Sequence, residues 1–219
     1  NTIKTPKRDS DVSPLFFIAR SFDINRPGAD INNIVGGVLG GSLKQGKLKV
    51  NDEIEIRPGL RIEETKAIWK PIITKVNGLK TGDIEVKELF PGGSSGILTA
   101  LDPSIVKSDN LTGNVVGLKN KVPEVFYEFN IKPRLLERVV GAKDDLVVEP
   151  IKKGEILMLN VNSAATVGTV TEMKKDVIHV SLKIPVCVSK TDRITISRNL
   201  GSRWRLIGVA SLENEKNKN

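Results

Sequence analysis

The chain has 219 residues, 39% hydrophobic but only 4% aromatic, with a formal net charge of +8. That length fits one large or two small domains, and Val, Ile and Leu must fill the core, which favours strands. Cys187 is the single cysteine, so an internal disulfide is excluded, and no window approaches ~18 apolar residues, so no membrane span is expected. No secretory signal is present, which leaves a cytoplasmic location as the expectation. The charge is shared along the chain, with 17 basic against 14 acidic residues through Asn120 and 17 against 12 after it. A diffuse positive field suits a polyanion such as RNA, and a lysine-rich soluble surface explains it equally well.

In chain order, residues 1–13 are polar and read as the end of a linker, with an N-terminus cut from something longer. Leu15–Ser21 reads as a strand, Arg26–Gly28 as a turn, and Ile34–Leu43 as a strand whose glycines allow close backbone approach. Gln45-Gly46 and Asn51-Asp52 are turn signals, which predict a hairpin leading into the strand Glu53–Ile56. Ile72–Val76, Ile84–Leu89, a strand following the glycine turn in Phe90–Leu101, and Val115–Leu118 complete a first set. That density predicts a barrel or sandwich over 14–120. A second set covers 121–212, with strands at Val125–Lys132, Ile156–Val161, Ala165–Thr171, Val177–Leu182, Arg193–Ser197 and Trp204–Ser211. Residues 213–219 form a polar tail.

GSLKQGK at 41–47 has the glycine spacing of a phosphate-binding loop, but Leu48 stands where a magnesium-ligating Ser or Thr belongs. A strand pattern follows where a helix is needed. Gly36–Gly41 and Pro91–Gly96 are either anion-binding nests or the bulges and turns of a barrel. His179 and Cys187 lie in apolar strands without a second His or Cys, so neither a metal site nor a nucleophile pair is expected. Arg198, Arg203 and Arg205 around Trp204 are candidates for RNA phosphate contacts, against a plain final hairpin whose Trp204 covers a core edge.

The segment GGVLGGSLKQGKLKVNDEIEI resembles domain II of elongation factor Tu and its relatives. TPKRD at 5–9, ARSFDINRPG at 19–28, the stretch 90–117, GEILMLNVNSAATVGTV at 154–170 and ISRNLGSRWRLIGVA at 196–210 resemble the gamma subunit of archaeal and eukaryotic translation initiation factor 2. The selenocysteine-specific elongation factor is the alternative, disfavoured by SAATVGTV and SRWRLIGVA. The resemblance implies an all-β chain of two consecutive closed β-barrels, domains II and III of a translational GTPase, without the GTPase domain. GTP and magnesium would belong to the full-length family member, and the chain alone would be no enzyme.

The implied partners are initiator tRNA, the alpha subunit through domain II, the small ribosomal subunit, the beta subunit only through the absent GTPase domain, and conceivably mRNA. The implied pocket for the tRNA 3′ end comprises Arg20, Phe22, Gly36, Gly37, Val38, Gly96, Ile97 and Leu98, with glycine admitting the ribose and branched side chains holding the base. Asn77 stands near the position of the family's acidic pocket residue. The insertion containing Arg26, Asp30, Asn32 and Asn33 is the expected alpha-subunit docking element.

Overall fold

The computed structural model describes residues 8–62, 68–141 and 146–213. The linker and tail readings at 1–7 and 214–219, with the start of TPKRD, lie outside the described residues. The chain divides into two compact units, Asn1–Val122 and Pro123–Asn219.

The first unit is a closed antiparallel barrel. Its strands are β1 (Leu15–Phe22), β2 (Val38–Gln45), β4 (Glu53–Arg61), β5 (Trp69–Thr81), β8 (Ser95–Thr99) and β9 (Val115–Leu118). They pair in the order β4-β9-β1-β2-β8-β5, and a β4–β5 pairing closes the ring. β6 (Ile84–Val86) extends β5 at the margin. Phe16, Ile18, Leu39, Ile54, Ile56, Val76 and Ile97 fill the interior with no exposed surface. Branched apolar side chains on alternate positions suit this, since successive residues of a strand face opposite sides.

The hairpin expected at Gln45-Gly46 does not form. β3 (Leu48–Lys49) pairs instead with β7 (Glu88–Leu89). Gly46 turns at φ +70 and a Cβ there would lie 2.5 Å from Val12 O and Pro14 N, so the chain leaves β2 beneath its own N-terminal segment. Leu48 is fully buried in this two-stranded piece. GSLKQGK is therefore the end of β2 and the turn that leads into β3, and its residues do not fit a nucleotide phosphate or its magnesium.

One element was not anticipated: helix α1 (Pro103–Val106), followed by a 3-10 turn over Lys107–Asp109. Asp102 caps α1 by accepting from Ser104 N at 2.8 Å, with Pro103 in the first turn.

The second unit is a closed barrel of β10 (Val125–Leu135), β11 (Ile156–Val161), β12 (Ala164–Lys174), β13 (Val177–Cys187), β14 (Ile194–Leu200) and β15 (Arg203–Leu212). The order is β10-β13-β12-β11-β14-β15, closed by β10 on β15. Its separate core includes Ile131, Leu157, Leu159, Val180, Ile194 and Ile196. Strands β5, β10 and β13 run well past the ends expected from the sequence. At β5 the Asn77-Gly78 pair, which resembles a turn signal, is instead a bulge inside a continuous strand.

Candidate nucleic-acid interface

The candidate site is the outer face of the first barrel across β1, β2, β8 and β5. One cross-strand row joins Phe22, Val38, Leu98 and Gly78. The next joins Arg20, Gly40, Gly96 and Lys80. Four strands at the usual spacing span about 14 Å. Phe22 is 40% exposed, and Arg20 and Lys80 are exposed. An apolar strip thus runs beside a side-chain-free strip with a cation at each end.

Two bulges create this face. Between Ile18 and Arg20 the register with β2 slips by one residue at Ala19. Phe16 and Ile18 point inward, so plain alternation would send Arg20 and Phe22 inward as well. The extra residue reverses that, and Ser21 becomes the buried one. A second slip at Asn77 places Gly78 and Lys80 on the outer face while Val76 and Leu79 stay inside.

The glycines separate into two groups. A Cβ on Gly36 would lie 1.9 Å from Thr99 O, and one on Gly37 would lie 2.4 Å from a Val106 methyl. Gly41 is equally tight, 1.9 Å from Phe17 O. The barrel's own packing requires these three. At Gly40, Gly78 and Gly96 the nearest neighbours of a Cβ are 3.5, 3.6 and 4.0 Å away, with no left-handed backbone. Nothing inside this barrel requires glycine there. Glycine in mid-strand is unfavourable, and it often marks a place where something else approaches the backbone.

Ile97, expected in the pocket, is fully buried and faces the core. It lies in the row Ser21, Leu39, Ile97, Leu79, which alternates inward between the two outer rows. Gly36 and Gly37 also serve this chain's packing rather than an opening. Gly37 N donates to Leu101 O at 2.9 Å and Thr99 Oγ1 donates to Gly37 O at 2.7 Å. Gly78 and Lys80 were missed, and Gly40 was singled out only within the Gly36–Gly41 segment and not for the pocket. Gly40 lay inside an expected strand, but Gly78 and Lys80 lie beyond the strand expected at Ile72–Val76, and no local rule places the three on one face with Gly96. Asn77 is exposed, and its Nδ2 approaches Thr99 O at 3.4 Å.

Asp109 anchors the cationic end. Its carboxylate accepts from Arg20 Nε at 2.8 and 3.0 Å and from Ser21 N at 3.0 Å. The Arg20 partner, then the Ser21 N–H, hold the Asp109 carboxyl below the usual carboxylate range. A depressed folded-state pKa adds stability above the unfolded value of about 3.9, and that stability is lost as pH falls through the lower folded value. Urea midpoints of the parent and an Asp109→Asn chain should therefore differ at neutral pH, with the parent more stable. The gap should narrow as the pH falls below about 4.

The family model described as "Initiation factor eIF2 gamma, C terminal" matches residues 127–212, and that of "Elongation factor Tu domain 2" matches 36–116. Translation initiation factor 2 subunit gamma of Methanococcus maripaludis is 51% identical over 207 residues, covering 94% of this chain and 50% of the relative. The Pyrococcus furiosus subunit is 53% identical over 212 residues, covering 96% and 52%. The two barrels belong to the translation initiation factor 2 gamma family. The chain spans about half the length of these relatives. The crystal structure of a bacterial selenocysteine-specific elongation factor superposes with a TM-score of 0.64 at 21% identity, covering 91% of this chain and 28% of that one. That likeness shows a shared fold alone.

The segment between β1 and β2 is a braced loop. Asn25 exchanges hydrogen bonds with Val35 N and O at its base. Asp30 accepts from Asn32 N at 2.8 Å and Asn32 Nδ2 at 3.0 Å, and Asn33 N donates to Asp30 O. Asp30 and Asn32 thus build the turn, while Arg26 and Asn33 are exposed on it. The loop also exposes Ile24 by 52%, Ile31 by 80% and Ile34 by 45%. Ile24 and Ile31 are apolar residues inside a polar insertion that no strand pattern accounts for, whereas Ile34, expected to open a strand, precedes β2 by four residues.

Arg198, Arg203 and Arg205 share one face of the last hairpin, since Arg198 pairs with Arg205 and Arg203 lies two residues from it, but they differ in exposure and partners. Arg198 turns into a network: Nε and Nη2 donate to the Glu155 carboxylate, Nη1 to Glu149 O at 3.0 Å and Nη2 to Pro150 O at 3.3 Å. Its side chain is 14% exposed. It borders a cleft of about 520 Å³ between Val147–Glu155 and the end of β14. Arg198 is thus corrected from an RNA contact to a structural group, because Glu155, remote in sequence, takes its charge. Arg205 stands opposite Arg198 and against the Gly141 backbone. Arg203 is exposed near the hairpin end, and Trp204, on the opposite face of the strand, is itself 38% exposed rather than covering a core edge. His179 makes a strand-to-strand contact, its Nδ1 2.9 Å from Asn130 Oδ1.

Proposed function

We propose that this chain is the tRNA-holding part of a translation initiation factor 2 gamma subunit. The full-length protein would act as a GTP-dependent carrier of methionylated initiator tRNA to the small ribosomal subunit. The observation that carries this reading is the set of open glycines, Gly40, Gly78 and Gly96, on a face bounded by Phe22, Val38, Leu98, Arg20 and Lys80. A terminal base would lie on the apolar row, and the backbone beside it would pass over the glycines between the two cations. GTP and magnesium would be bound by the family's GTPase domain, and this chain would be no enzyme by itself. The alpha subunit would dock on the loop 24–35, with Ile31 and Ile34 supplying apolar contact beside Arg26 and Asn33. The beta subunit would attach through the GTPase domain. Arg203 remains a candidate RNA contact in the second barrel, mRNA a candidate second ligand, and the cytoplasm the proposed location.

Filter binding of methionylated and deacylated initiator tRNA to this chain, over a salt series, tests the reading. Binding should weaken steeply with salt as counterions are released, and the aminoacylated form should bind more tightly. No binding at low salt, or equal binding after Leu98→Asp, would overturn it.

A further inference from the structure

Arg20 is held in an unusual way. Asp109 does not take the two terminal amino groups of the guanidinium, the common forked arrangement. Both of its oxygens converge on Nε, at 2.8 and 3.0 Å. Among the described residues no acceptor meets the four N–H bonds of the terminal amino groups, and the Arg20 side chain is 70% exposed. The grip uses one donor and leaves four.

The segment that delivers Asp109 is itself costly. Ser108 and Asp109 are consecutive non-glycine residues in the left-handed region, at φ +54 and +59. Such residues persist where surrounding structure over-determines them, and they cluster at functional sites. Here the surroundings are known. Ser21 N donates to the same carboxylate, and Leu111 N donates to Ser21 Oγ at 3.0 Å. Thr112 N donates to Asp109 O at 2.9 Å. Lys107, in the same turn, lies 3.7 Å from Asp23. Thr112 Oγ1 donates to Ala19 O at 3.3 Å, so the segment 107–112 is bound to the chain on both sides of Arg20.

We propose that Asp109 is a positioning residue for RNA: it holds Arg20 by Nε so that the terminal amino groups meet a phosphate of a single-stranded RNA end lying along Gly40 and Gly96. This rests on the RNA-binding reading given above. An arginine free to rotate would present the same charge without the fixed fork that matches a phosphate. Asp109 also screens the charge at Nε, so the remaining donors are the ones a ligand encounters.

A double-mutant cycle on the full chain, read by fluorescence anisotropy with a short labelled single-stranded RNA, tests this. Asp109→Asn keeps an acceptor for Ser21 N but loses the charged grip on Nε. It should weaken binding about tenfold, the scale of one charge-assisted hydrogen bond. Arg20→Ala should weaken it at least as much and lower the salt slope by about 0.7. In the Arg20→Ala background, Asp109→Asn should change nothing further. Arg20→Lys should also lose affinity but keep the parent salt slope, since lysine retains the charge and has no Nε–H to be held while a fork stays free. Unchanged or tighter binding by Asp109→Asn would make the carboxylate a competitor of phosphate and overturn the proposal. So would an equal loss in both backgrounds, the pattern of a purely structural role. RNA binding that persists but ignores Asp109 overturns this inference alone, while no binding by the parent overturns the RNA-binding reading with it.

Discussion

Gly40→Val and Gly96→Val chains are expected to fold as well as the parent and to lose RNA binding. A Cβ at either position meets nothing closer than 3.5 Å, and both residues have ordinary strand backbones. Valine also suits a strand better than glycine, so thermal stability should hold within about 1 kcal/mol or rise. Binding should fall at least ~10-fold, because the branched side chains would fill the strip beside the base-stacking row. Gly41→Ala is the opposite control. Its Cβ would lie 1.9 Å from Phe17 O, and backbone cannot yield as a flexible side-chain tip can. Overpacking at that point should cost about 3 kcal/mol or more. Denaturant melts and RNA titrations on the three chains separate the roles. If Gly96→Val bound RNA like the parent, the open glycines would lose their functional meaning.

Arg198→Ala should behave as a stability variant and not as a binding variant. It removes three donors from a largely buried network and leaves Glu155, whose side chain is 18% exposed, without its counter-charge. Breaking a buried pair on one side costs on the order of 3 kcal/mol. Urea unfolding should show that loss, while the RNA affinity of the folded fraction stays level. Arg203→Ala, on an exposed side chain, should change stability by no more than about 0.5 kcal/mol. A large affinity loss in a fully folded Arg198→Ala chain would restore the RNA-contact role read from the sequence.

The barrels themselves were legible because their evidence is local. The apolar runs in Leu15–Ser21 and Ile156–Val161 and the alternation in Val177–Leu182 mark strands directly, and Asp102-Pro103-Ser104 carried a readable cap that was overlooked. The site was only half legible. Val38, Leu98, Gly96, Arg20 and Phe22 do share one outer face, yet Ile97 was drawn in by its place between Gly96 and Leu98. Strand periodicity places Ile97 on the opposite side from both neighbours. Gly40 and Gly78 could be joined to that face only through pairings between strands distant in sequence. The same limit hid Glu155 behind Arg198 and sent Leu48 to a strand near residue 89. In each case the missing information was a partner far along the chain.

The single extra residue at Ala19 has a bearing on how such a surface can change. Because the bulge sets which parity of β1 faces water, the inner and outer halves of that strand are addressed independently. Substitutions at Arg20 or Phe22 alter the exterior alone, and those at Phe16 or Ile18 the interior alone. Removing Ala19 would take out the bulge itself and set Arg20 directly after Ile18 in ordinary alternation, so Arg20 would stay outside and Ser21 inside. A deletion scan through β1 should therefore find its mildest loss of folded protein at position 19, the residue that β2 does not pair, and a sharp loss at Phe17, where a deletion puts Phe16 and Ile18 out of step.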